Sequence, residues 1–73
     1  MARRVNKGVY ILTDNHGEHA VVMQKSEYNE WALYLIDRWG DANWEATFPT
    51  LWAAKEWFGD VPYTGDVPKI RIV

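Results

Sequence analysis

The sequence contains no cysteine. No disulfide can staple this chain, and no thiolate can serve as a nucleophile or metal ligand, which excludes a disulfide-framed secreted scaffold and all thiol chemistry. It contains one serine, Ser26, between Lys25 and Glu27 in a polar connection. No nucleophile-elbow or oxyanion pattern surrounds it, so it reads as a turn residue. The five glycines, at 8, 17, 40, 59 and 65, are scattered singly, which excludes a phosphate-cradling loop. No apolar run approaches the roughly 18 residues that cross a bilayer. The basic start Met1-Ala2-Arg3-Arg4-Val5-Asn6-Lys7-Gly8 is followed by only Val9-Tyr10-Ile11-Leu12 before Thr13-Asp14. That run is shorter than the roughly 7–15 apolar residues of a signal peptide. The expected location is the cytoplasm, with no membrane association. A large net charge of either sign is lacking as well. Ten acidic and eight basic residues leave a net charge of −2, neither the basicity of a general nucleic-acid binder nor the acidity of a nucleic-acid mimic.

What the chain has is aromatic. Five Trp, four Tyr and two Phe stand among 73 residues. Trp and Tyr fill a small core efficiently, and the same residue types anchor interfaces. A 48% hydrophobic share with 25% charged residues places the chain among globular domains rather than disordered ones. The length allows one core, so residues 1–73 read as a single domain, with residues 1–7 as a basic, flexible N-terminal arm.

Turn signals punctuate the rest at short spacing. Val9 to Thr13 is rich in strand formers. Asp14-Asn15-His16-Gly17-Glu18 is a polar turn, and His19 to Lys25 reads as the return strand of a hairpin. After Ser26-Glu27-Tyr28-Asn29, the segment Trp31 to Asp37 is the strongest strand. A turn over Arg38-Trp39-Gly40-Asp41-Ala42-Asn43 leads to a short strand from Trp44 to Phe48. Thr50 is a good N-cap and Gly59 a good left-handed C-terminal residue, which brackets about two turns of helix. Asp60 to Gly65 is a loop, and Pro68 to Val73 alternates as a terminal edge strand. The expected fold is α+β: a small antiparallel sheet in the order β-β-β-β-α-β, with one helix packed on one face.

Both faces of that sheet are apolar. Trp31, Leu33 and Leu35 point one way, and Ala32, Tyr34 and Ile36 the other, where a half-wet sheet would show polar residues. One short helix covers one face, so the other calls for the Pro62-Tyr63 loop and C-terminal strand, a second copy or a partner. On the helix, Leu51, Ala54, Trp57 and Phe58 fall on the core side at about 100° per residue. Trp52 falls opposite, near Lys55 and Glu56, as a candidate interface anchor.

Two clusters invite chemistry. Asp14, His16, Glu18 and His19 include metal-ligating types, but they sit in one hairpin tip without the spacing of a zinc motif, so they read as turn polarity. Asp37, Asp41 and Glu45 read as solvated turn charges rather than an acid–base pair. No cofactor or metal site is expected, and the chain is not expected to be an enzyme.

The segment Trp44-Glu45-Ala46-Thr47-Phe48-Pro49-Thr50-Leu51-Trp52-Ala53-Ala54 resembles the strand-to-helix junction of three-stranded-sheet DNA-binding domains, the plant ethylene-response-factor type and the arm-binding domains of phage integrases. The resemblance implies the fold at this junction. Those families read DNA with several Arg and Lys on the sheet, whereas these strands offer little beyond Lys25 and Arg38, so it implies no binding residues. In its shortness, Trp content and lack of cysteine the chain also resembles small accessory proteins of bacteriophages, notably of actinobacterial hosts, which implies binding to a host protein. The leading expectation is a protein–protein interaction module, a phage-type modulator of a host factor, with Trp52, Trp39, Lys55 and Tyr34 at the interface. One alternative is weak DNA or RNA binding through Arg3, Arg4, Lys7 and the sheet aromatics. Another is a homodimer that buries the second sheet face.

Overall fold

Sequence neighbours become sheet neighbours in this chain. The computed structural model describes residues 3–25, 30–63, 65 and 71–72. Five strands follow one another: β1 (Arg3–Asn6), β2 (Val9–Thr13), β3 (His19–Lys25), β4 (Glu30–Ile36) and β5 (Asp41–Phe48). Each pairs antiparallel with the next. A helix, α1 (Leu51–Phe58), and a two-residue strand, β6 (Arg71–Ile72), complete the order. The fold is α+β, as the sequence indicates, with differences at three strands, the first being that Asp41–Asn43, expected as turn, belongs to β5. Arg3–Asn6, expected as part of a flexible arm, forms an extra strand opposite Val9, Tyr10 and Ile11. The terminal strand runs parallel to β5, with Asp41 opposite Arg71 and Ala42 opposite Ile72. The connection expected at Ser26–Asn29 and the segment at residues 66–70 lie outside the described residues.

The strand register sorts the side chains into two layers. Leu12, Ala20, Val22 and Leu33 are fully buried together with Ala54 of the helix, and Trp31, Leu35, Phe48, Leu51 and Phe58 pack around them. Alternation puts Ile11, Val21, Ala32 and Tyr34 on the opposite face. There Ile11, Val21, Ala32 and Ala42 are buried within one copy of the chain. A bulge shifts the register of β5 against Leu33 and Tyr34: Ala46 faces Leu33, Trp44 faces Tyr34, and Glu45 is the extra residue between them.

The helix is fixed at both ends by the residues that the sequence marks. The Thr50 side chain accepts from the Ala53 amide at 3.0 Å, and Gly59 adopts the left-handed conformation with its amide bonded to the Lys55 carbonyl. The chain leaving the helix then docks on the outer edge of β2. The Thr13 amide donates to Asp60 Oδ1 at 3.1 Å, and the Val61 amide donates to the Thr13 carbonyl at 2.8 Å. This tie sets the helix across the sheet, and α1 touches β2, β3, β4 and β5.

Candidate functional site

Trp31 is half-buried, with its ring 5.8 Å from that of Tyr10. The other four tryptophans are each more than half exposed. Local structure explains where each one goes. Trp39 occupies the third position of the Asp37–Asp41 turn, where its amide donates to Asp37 Oδ1 and its indole stands clear of the sheet. The Arg38 guanidinium lies 4.5 Å from the ring centroid, a cation–π contact. Trp44 belongs to the face of β5 that lies away from the helix, opposite Tyr34.

Trp52 and Trp57 share helix α1 but not a flank. Five residues apart, they differ by about 140° around the axis. Leu51, Ala54 and Phe58 take the core side between them. Trp52 is 69% exposed, the most exposed large apolar side chain among the described residues. Lys55 and Glu56 are its neighbours one turn on, the first half-buried and the second exposed. Trp57 lies over Phe48 with ring centroids 5.6 Å apart, yet remains 53% exposed. Helical periodicity assigns Trp57 to the core. The structure moves it to the rim, because Phe48 belongs to the last long strand and, among the described residues, no strand lies beyond it to close over the indole.

The four residues expected at an interface therefore do not form one surface. Trp52 and Lys55 belong together on the helix, and Trp39 sits at the β4–β5 turn. Tyr34 is half-buried on the far face, with the sheet between it and the helix. Trp44, Trp57 and Tyr63 complete the exposed aromatic set among the described residues. The signal for Trp57 was available in the shortness of the helix, since eight residues bury only a narrow stripe.

The polar residues are occupied with structure. Asp14 Oδ1 accepts from the amides of His16 and Glu18, and the His19 Nδ1 lies 3.0 Å from the Thr13 hydroxyl with its ring edge-on to Tyr63. Asp37 Oδ1 accepts from the amides of Trp39 and Asp41, and its Oδ2 accepts from the Asn43 side chain. Between these two turns lies a cleft of about 300 Å³ lined by Gly17, Glu18, His19, Ile36, Asp37 and Arg38. Among the described residues no group of three or more His, Asp or Glu is placed to hold a metal ion. Of the basic set, Arg3 and Arg4 are consecutive positions of β1, opposite Ile11 and Tyr10, and Lys7 follows in the turn to β2.

No helix among the described residues is long and apolar enough to cross a membrane. Compared with known proteins, the chain matches no family model, no curated protein and no solved structure. The two resemblances drawn above rest on the sequence alone.

Proposed function

We propose that the chain is a non-catalytic module that binds another protein, with Trp52 as its anchor. The exposure of that indole on a capped helix carries the reading. A Trp side chain has few rotatable bonds, and Thr50 and Gly59 fix both ends of the helix that presents it. Ordering it against a partner therefore costs little entropy. Lys55 and Glu56 beside it supply polar groups of both signs for the rim of a contact. Trp57 extends the apolar surface on the other flank of the same helix.

The use of the carboxylates supports binding over catalysis. Asp14 and Asp37 each commit Oδ1 to two backbone amides of their own turns, which ties those carboxylates to the fold. The likeness to bacteriophage accessory proteins points to a host protein as the partner.

The test is affinity capture from a bacterial lysate by the full chain and by Trp52→Ala, with and without nuclease. A truncated buried anchor costs about 2 kcal/mol, roughly a thirtyfold rise in Kd, while the circular dichroism spectrum stays unchanged. A folded Trp52→Ala chain that binds its partner normally removes the anchor. Captured material that vanishes with nuclease transfers the function to nucleic acid.

A further inference from the structure

We infer that two copies of this chain pair edge to edge along β5 to form a twofold dimer. The inference concerns a different surface from Trp52 and stands whether or not that anchor holds a partner. β5 is the longest strand of the sheet, eight residues from Asp41 to Phe48. β4 pairs along one side of it from Ala42 to Phe48. On the other side β6 meets only Asp41 and Ala42. From Asn43 to Phe48 the outer edge carries no strand among the described residues. Alternate backbone N–H and C=O groups along that stretch point away from the sheet, and the group that satisfies such a row is another extended chain.

The opposite edge is closed by comparison. β1 is only four residues long and contains Arg3 and Arg4. Where it stops, Asp60 and Val61 take the outward amide and carbonyl of Thr13. Short strands and positive charge are the usual means of keeping other chains off an edge. The open stretch of β5 contains no Lys, Arg or Pro, and its one charge is Glu45 at the bulge. It carries Trp44 on one face and Phe48, beneath Trp57, on the other. Large exposed indoles thus stand on both sides of a strand edge that no strand among the described residues pairs.

The stretch is also complementary to itself. Antiparallel pairing about a twofold axis between Glu45 and Ala46 sets Trp44 opposite Thr47 of the second copy, Asn43 opposite Phe48, and Glu45 opposite Ala46. Trp44 and Thr47 share a face of the sheet, since their partners on β4 are Tyr34 and Ala32, two residues apart. The axis therefore creates two aromatic–β-branched pairs. The single carboxylate meets a methyl group instead of its own image, and a net charge of −2 per copy adds little repulsion. The contact is the same patch on both copies and uses the Asn43–Phe48 edge of each, so it closes at two. The bulge at Glu45 keeps the ladder short, so the pairing is weak, and it is to be sought over roughly micromolar to millimolar concentration.

The experiment is sedimentation velocity on the full chain across that range, with amide hydrogen exchange measured at both ends of it. The expected result is a monomer–dimer equilibrium in which amides of Asn43–Phe48 exchange more slowly at high concentration and those of β1 do not. Trp44→Lys places a charge on the edge and loses the dimer over the same range. Should that variant fail to fold, Thr47→Glu serves the same purpose at another exposed position. A chain that is monomeric throughout overturns the proposal. So does a dimer that survives a folded variant, or one that protects amides elsewhere than β5.

Discussion

Asp14 and Asp37 hold two different hairpins by the same four bonds. The Oδ1 of each accepts from the amides two and four residues later, all at 2.9 Å. In each turn the amide of the glycine three residues on donates to the Asp carbonyl, and the Asp amide donates to the carbonyl of the acidic residue that closes the turn. Gly17 and Gly40 take φ values of 79° and 84°, which a side chain would oppose. Asp14-Asn15-His16-Gly17-Glu18 and Asp37-Arg38-Trp39-Gly40-Asp41 are one structural word written twice, a turn with a left-handed residue that returns the strand in register.

Removing the carboxylate should cost more at Asp37 than at Asp14. Asp37→Ala loses two amide bonds and the Asn43 contact, and about 1–3 kcal/mol of stability is expected to go with them. Asp37→Asn keeps an acceptor oxygen and should lose less. Urea titration followed by tryptophan fluorescence gives the midpoints, and an unchanged slope shows that the fold is retained.

Gly17→Ala isolates backbone strain. A methyl group added there meets no atom within 4 Å, so the penalty comes from the positive φ alone. A loss of about 1–2 kcal/mol is expected from the left-handed conformation. A neutral result in thermal unfolding would show that the turn has another conformation open to it.

Thr50→Ala should weaken the helix by about 1 kcal/mol, because the Ala53 amide loses its acceptor. Thr50→Ser should restore most of it. Far-ultraviolet circular dichroism against temperature compares the three chains.

Leu33→Ala and Trp52→Ala form a contrasting pair. Leu33 is fully buried beneath the helix, and its truncation should cost about 2–5 kcal/mol. Trp52 lies outside every packed cluster, and its truncation should stay within about 0.5 kcal/mol. Unfolding midpoints that fail to separate the two would mean that Trp52 supports the fold rather than presenting a surface.

Legibility in the sequence followed local chemistry. Strand-forming runs bounded by Asp and Gly located Val9–Thr13 and His19–Lys25, and the pair Thr50 and Gly59 bracketed the helix. What escaped was decided by partners distant in the chain. Arg3-Arg4-Val5-Asn6 has no alternation to mark it, and it becomes a strand because β2 offers an edge. Asp41-Ala42-Asn43 looks like turn, yet Asp37 draws it into β5 and lengthens that strand by three residues beyond its expected start at Trp44. Among the candidate site residues, the helix face of Trp52 was legible because an amphipathic helix has a definite outside, while its exposure was not, because a neighbouring loop such as that of Tyr63 or Trp39 is free to cover that face. Tyr34 was not, because alternation shows which residues share a face of a sheet and leaves open what covers that face. Trp57 fell to the core by periodicity and to the rim by its position over an edge strand.

The tie between Thr13 and Asp60 joins residues 47 apart. From β1 to β5 every pairing is between consecutive elements, and such short-range contacts close quickly from an open chain. The Thr13 clamp and the β5–β6 pairing are long-range, and their loops must be closed against entropy. The sheet is therefore expected to assemble first and the helix to be fastened to it last. Hydrogen exchange is expected to find the amides of Val21 and Val22 better protected than those of the capped helix, with the helix opening as one unit rather than fraying from its ends.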